Sequence, residues 1–189
     1  MPKLAQYKEC TGCMACVDSC SHNALQATLN EEGHIVPLID ESKCVNCKLC
    51  ERVCPVVSKL PYSQSPVASS FAGWAKDKIV RKNSATAGAF SALAQYVFSK
   101  GGVVCGASNV DGVLVKHICI EKVDELTKLQ GSKYTQSNAE GIYKTVSVNL
   151  KQGKLVLFSG TGCQVAGLYG YLGKRKYSGR LTTVDLICG

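Results

Sequence analysis

The 189-residue chain is poor in aromatic residues, at 7%, and contains one tryptophan and two methionines. No apolar run approaches the roughly 18–20 residues that a bilayer-crossing helix needs, so no membrane span is expected. The first ten residues, MPKLAQYKEC, lack the apolar stretch of a secretory signal. Charged residues make up 19%, too few for a disordered polyelectrolyte. Basic and aromatic residues are not interleaved, so nucleic-acid binding has little support. No Gly-x-Gly-x-x-Gly follows a strand-like run, so a Rossmann nicotinamide site is not supported. No Ser–His–Asp or Cys–His pattern stands out. His22, His34 and His117 are isolated and read as surface or satisfied core residues. A soluble cytoplasmic protein of one large or two small domains is the expectation.

Cysteine is what the chain has. There are twelve, and eight fall between residues 10 and 54. At about 6% they stay below the roughly 8–10% of a disulfide scaffold. Without an export signal, clustered cysteines read as metal ligands in a reducing compartment. They form an internal repeat: Cys10, Cys13, Cys16 and Cys20, then Cys44, Cys47, Cys50 and Cys54, followed by Pro55. Corresponding cysteines lie 34 positions apart. The formal charge of +8 overstates the basicity, because ligating thiols are thiolates and the cofactor adds negative charge. The one dense basic run, Lys174 to Lys176, reads as a solvated helix end, with contact to an anionic partner as the lesser alternative.

The spacing C-x2-C-x2-C-x3-C-P is the bacterial ferredoxin pattern. Three cysteines at three-residue intervals wrap one corner of a cubane, and the fourth points along the next helix to the other cluster. Cys10, Cys13, Cys16 and Cys54 are therefore expected to hold one 4Fe-4S cluster. Cys44, Cys47, Cys50 and Cys20 are expected to hold the second. Zinc knuckles use paired C-x2-C with a longer spacer, which two complete four-cysteine runs do not match. Ser21 replaces the proline that commonly follows the first fourth cysteine. A domain of about 58 residues has a thin core, and eight covalent ties would staple it.

Residues 1–58 thus form the first domain. Between its halves, Leu25, Ala27 and Leu29 alternate with polar positions, and Ile35 to Ile39 returns after a turn at Asn30–Gly33. Pro37 confines the return strand to an edge. Residues 59–70 are rich in Pro and Ser and read as a linker. From 71 to 189 strand-like and helix-like segments alternate. Strands are expected at 71–75, 102–108, 113–121, 155–158 and 181–187, with a hairpin turn at Asp111-Gly112. Helices are expected at 85–99, at 138–151 with Asn138 as N-cap, and at 163–172. The fold class is α+β, a ferredoxin-like domain followed by an α/β domain.

Five segments of the second half, RKNSATAGAFSALA, GGVVCGAS, GSKYTQS, LFSGTGCQVAGL and VDLIC, together with the cysteine repeat, resemble the coenzyme F420 hydrogenase/dehydrogenase beta-subunit family. The resemblance implies an iron–sulfur flavoprotein oxidoreductase subunit. Such a subunit binds FAD and passes electrons between clusters, flavin and a partner: coenzyme F420, a redox protein or another oxidoreductase subunit. It implies flavin contacts from Ser84, Thr86 and Gly88, from Ser132, Lys133, Tyr134, Gln136 and Ser137, and from Gly160 and Thr161. Lys133 would neutralise a pyrophosphate or reduced flavin, and Tyr134 would stack. The Ser159–Gly162 turn would offer free N–H groups and a helix dipole.

Departures from the family accompany the resemblance. Ser84-Ala85-Thr86-Ala87-Gly88 stands for the usual Ser-Ser-Ser-Gly-Gly, and Thr161-Gly162-Cys163 for Thr-Pro-Cys. Family members continue beyond the position of Gly189, so a truncated flavin domain is expected. Cys163 and Cys188 are either quiet core cysteines or ligands of a further cluster. Cys105 and Cys119 lie in apolar strands and read as small core residues. The alternative function is a ferredoxin-type electron-transfer or docking protein with a degenerate flavin domain.

Overall fold

A computed structural model describes residues 1–58 and 69–188. Most of the expected linker, 59–68, lies outside the described residues. In the first half the order is α1 (Ala15–Ser19), β1 (Leu25–Leu29), β2 (Ile35–Ile39) and α2 (Leu49–Val53). β1 and β2 pair antiparallel from Leu25↔Ile39 to Leu29↔Ile35. The Asn30 side-chain oxygen accepts from the N–H groups of Glu32 and His34 and closes the turn. Pro37 lies opposite Ala27 in a sheet of two strands, where each strand has a free edge.

The cysteine repeat is also a repeat of backbone shape. Gly12 and Asn46 have φ of 64° and 54°, and Met14 and Lys48 have 62° and 58°. Both pairs are 34 residues apart. A left-handed residue thus opens each short helix, and each helix ends at a C-cap cysteine, Cys20 or Cys54.

The second half contains α3 (Lys78–Lys82), α4 (Ala89–Ser99), β3 (Val103–Val110), β4 (Leu114–Ile120), α5 (Ile142–Lys151), β5 (Leu155–Thr161), α6 (Gly162–Leu172) and β6 (Arg180–Leu186). The sheet order is β4-β3-β5-β6, with β3, β5 and β6 parallel and β4 antiparallel. Alternation along the strands sorts the core. Val104 and Leu157 face Ala94 and Val97 of α4, whereas Val103, Val156 and Phe158 face α5 and α6. The sheet is therefore covered on both faces, as its continuous apolar runs require.

Three expected elements differ. Residues 71–75 form no strand: Phe71 and Trp74 are exposed, and only Ala75 is buried, its N–H bonded to the Ala87 carbonyl. The helix expected at 85–99 is interrupted by left-handed Ala87 and Gly88 within a 3-10 turn at Thr86–Gly88, and α4 begins only at Ala89. The helix expected from 138 starts at Ile142, with Gly141 as N-cap. Asn138 instead extends the sheet: its N–H bonds the Val115 carbonyl, and its carbonyl takes the His117 N–H. A further correction concerns Cys105 and Cys119. They are directly paired across β3 and β4 with Cα atoms 4.0 Å apart, and a disulfide joins them.

The two halves share one core. Met14, Val17 and Leu25 of the first pack with Tyr143, Val146, Val165 and Leu168 of the second. No helix among the described residues is long and apolar enough to cross a membrane.

Candidate electron-transfer site

The eight repeat cysteines surround two cavities. One, of about 360 Å³ including solvent-open space, is lined by Cys10, Cys13, Cys16 and Cys54. The other, of about 370 Å³, is lined by Cys44, Cys47, Cys50 and Cys20. Each cavity takes three cysteines from one run and the last from the other. The reason is local. The helix that contains each third cysteine carries the fourth away from its own run, and the contact between α1 and α2 delivers it to the opposite one.

The cavities differ in their surroundings. Cys13 and Cys16 are buried, while Cys47 is exposed. Burial pushes the Cys13 thiol up to about 12 and raises Cys16 further. Such thiols lose their protons only to a cation that takes their place. Four cysteines lining one cavity are the donor set an iron–sulfur cluster needs, so residues and group fit.

Side chains from the two halves interlock beside the first cavity. The Asp18 carboxylate accepts the backbone N–H groups of Gly141 at 2.6 Å and Tyr143 at 2.9 Å. It caps α5, whose own N-cap glycine has no side chain to do so. The Tyr143 hydroxyl donates to the Cys13 carbonyl at 2.6 Å and also reaches the Gln164 carbonyl at 3.2 Å. Gln136 donates its amide to the Ile35 carbonyl at 3.0 Å and accepts the Ile35 N–H at 2.6 Å. Its side chain thereby acts as one more strand beside β2. At Gly12 a Cβ would collide with the Gln136 amide and the Ile35 carbonyl.

The residues expected around a flavin fall into two groups. Thr161 and Gly162 sit at the start of α6, where two of the backbone donors, those of Thr161 and Gln164, are engaged within the chain. The Thr161 N–H goes to the Gln164 side chain at 3.0 Å, and the Thr161 hydroxyl accepts in return from the third helical residue. This is a capping box. A Cβ on Gly162 would lie 3.3 Å from the Asp185 carboxylate, so an anion of the chain already faces this helix end. Gly160 is buried, and a Cβ on it would meet Gln164 and Phe158 rather than open space. The Ser137 hydroxyl accepts from the Gln164 amide at 2.9 Å.

The second group gathers at the start of α4. Its N-cap is Gly88, in the left-handed region, and no side chain caps the helix. The Ser84 hydroxyl donates to the Val80 carbonyl and pairs with Ser91 at 2.7 Å. The Gln130 amide donates to Ser91 at 3.0 Å, and the Lys133 ammonium donates to the Gln130 carbonyl at 2.8 Å. Lys133 is partly buried, which lowers its pKa, and no carboxylate pairs with it among the described residues. Thr86 opens the 3-10 turn at this end. Ser132 and Tyr134 are exposed beside Lys133, Tyr134 almost wholly so.

Sequence reading missed Asp18, Tyr143 and Gln164. Asp18 carried a signal, because a carboxylate between two cluster cysteines on a helix with no polar face needs a partner. Tyr143 and Gln164 carried none, since each is an ordinary helical residue until the halves meet. Cys163 has its sulfur 3.1 Å from the Thr161 hydroxyl, and its thiolate would raise both Cys10 and Cys13. Cys188 is exposed.

Two family models match parts of the chain. Residues 9–57 match the 4Fe-4S dicluster domain. Residues 70–144 match the N-terminal part of the coenzyme F420 hydrogenase/dehydrogenase beta subunit. No curated protein matches the chain. A ferredoxin-type 4Fe-4S domain is thus followed by an α/β domain with a mixed sheet.

Proposed function

We propose that the chain is an iron–sulfur flavoprotein oxidoreductase subunit. It would pass electrons between two 4Fe-4S clusters and FAD, and on to coenzyme F420 or another redox partner. Cys10, Cys13, Cys16 and Cys54 would hold the cluster next to the α/β half, and Cys44, Cys47, Cys50 and Cys20 the outer one. When bound, the clusters supply one-electron chemistry and the flavin couples it to two-electron transfer. The observation that carries this reading is the interlock at Cys13, where a residue of α5 bonds the carbonyl of a cluster cysteine.

The chain's own residues suit these roles unequally. Cys13, Met14 and Cys16, which line the inner cavity, are buried, as is Ala15 beside them. Exposed Val45 and Cys47 leave the outer one open to a partner subunit. For FAD, the uncapped α4 terminus with Ser84, Gly88 and Lys133 fits a phosphate, and Thr86, Ser132 and Tyr134 border it. Thr161, Gly160, Gln136 and Ser137 support the neighbouring backbone rather than offering open donors.

The self-capped α6 terminus with Asp185 favours the second reading, an electron-transfer or docking protein that binds no flavin. Iron and flavin analysis of anaerobically purified chain separates the two. About eight iron atoms with bound FAD supports the first. Eight iron atoms and no flavin, even after incubation with FAD, supports the second.

A further inference from the structure

The two cysteine runs repeat each other in spacing and backbone angles, yet the second half touches them unequally. Cys13 has the Tyr143 hydroxyl on its carbonyl at 2.6 Å. Cys47, its counterpart 34 residues on, is exposed, and no described side chain bonds its carbonyl. The same hydroxyl reaches the Gln164 carbonyl, and the Gln164 side chain holds the Thr161 N–H and the Ser137 hydroxyl. One chain of hydrogen bonds therefore runs from a cluster cysteine to the turn between β5 and α6. Room for it comes from Gly167 on α6. A Cβ there would stand 3.1 Å from the Cys13 sulfur, 3.1 Å from the Tyr143 hydroxyl and 3.2 Å from the Ala15 methyl.

We propose that Tyr143 is a positioning residue that makes the two clusters inequivalent. Its hydroxyl fixes the Cys13 segment against α6 and sets the potential of the cluster held by Cys10, Cys13, Cys16 and Cys54. The inference rests on the ligand assignment above and not on flavin. The Tyr143 bond is to the Cys13 carbonyl and not to its sulfur, so it acts by holding the segment whose Ala15 N–H meets that sulfur, and a donor held at a ligand sulfur stabilises the reduced form, which carries one more negative charge. Releasing that segment makes the cluster harder to reduce. Among the described residues no side chain of the second half bonds a ligand of the outer cluster; its own donor, the Ala24 N–H on the Cys20 sulfur at 3.3 Å, is untouched by a change at Tyr143.

The test uses the full chain, purified anaerobically with both clusters, in a redox titration followed by electron paramagnetic resonance. The inner and outer signals are assigned by which one disappears in Cys47→Ala. Tyr143→Phe keeps the ring and loses only the hydroxyl. Its iron content is expected to match the parent, with the inner midpoint moved to a more negative potential and the outer midpoint unmoved. Two unmoved midpoints, or equal shifts in both, overturn the proposal. If Tyr143→Phe loses iron, Gly167→Ala decides, because it leaves the hydroxyl in place and crowds it and the Cys13 sulfur. That variant must move the inner midpoint alone, and two unmoved midpoints overturn the proposal. A chain without flavin would refute the flavoprotein reading and leave this result standing, since neither midpoint is read through a flavin.

Discussion

The Asp18 carboxylate lies 2.9 Å from the Tyr143 backbone nitrogen, 125 residues further along the chain. A residue between two cluster cysteines thereby caps a helix of the other half. It is 3% exposed, so its bonds do not compete with bulk water. Asp18→Ala leaves two N–H groups without an acceptor at a buried helix start. A loss of about 1–3 kcal/mol is expected, read by denaturant unfolding of the cluster-loaded chain. Melting of the first half alone, with the second unaffected, would show that the halves do not depend on this cap.

Gly12 and Asn46 occupy equivalent left-handed positions with opposite tolerance. Gly12→Asn pushes a side chain into Gln136 and the Ile35 carbonyl, and more than about 2 kcal/mol should be lost. Asn46→Gly changes an exposed residue and should alter stability by only about 0.5 kcal/mol. Similar losses from both would place the interface elsewhere.

Cys20 follows the first run but lines the cavity of the second. In Cys20→Ala, iron should fall by about half, with the cluster of Cys10, Cys13 and Cys16 retained. Loss of that inner signal and survival of the outer one would reverse the pairing. Electron paramagnetic resonance of the reduced variant makes the distinction.

Lys133 and Thr161 should behave differently toward added FAD. Lys133→Ala removes a charge-assisted bond worth roughly 1.5–3 kcal/mol, or about tenfold or more in affinity. Thr161→Ala breaks the capping box of α6 and should cost about 1 kcal/mol of stability with flavin affinity little changed. Titration calorimetry and thermal unfolding report the two effects separately. The reverse pattern would place the phosphate at α6.

His117 is buried and holds its pKa down to about 4, mainly by desolvation, against the ordinary 6.5. Its Nε2 bonds the Ser159 carbonyl at 3.1 Å, while Nδ1 has no partner among the described residues. The unfolded chain binds this proton first, so stability is full above about pH 6.5 and is lost as pH falls toward 4. The contribution is up to about 3 kcal/mol. His117→Phe should flatten the pH dependence of unfolding over that window. An unchanged profile would show that the imidazole does not set it.

Much of this was legible in the residues. The cysteine spacing indicated two four-thiol groups, and the β-branched runs GVVCGAS and VLVKHICIE marked β3 and β4 with their Asp111-Gly112 turn. The failures share a cause. FAGWA has strand-like composition, but a strand also needs a neighbour, and none pairs with it. Asn138 looks like a helix cap, yet pairing with Val115 and His117 claims its backbone first. Cys105 and Cys119 became partners only through the register of β3 and β4, which apolar composition alone does not specify. Around the contacts expected for a flavin, the sequence could not show that Gln136 is held by β2, or that Asp185 faces the start of α6.

The difference between the two cysteine runs amounts to an address written beside the ligands. At the positions that meet the second half, Gly12, Met14, Ala15 and Asp18 stand where the other run has Asn46, Lys48, Leu49 and Arg52. Asp18 and Arg52 even carry opposite charges. An ancestral duplication would have made two interchangeable halves, and these substitutions give them an inside and an outside. A chain with the two runs exchanged would keep every cysteine and its spacing. It would present a lysine and an arginine to the α5 terminus and lose its orientation, although every metal ligand remained.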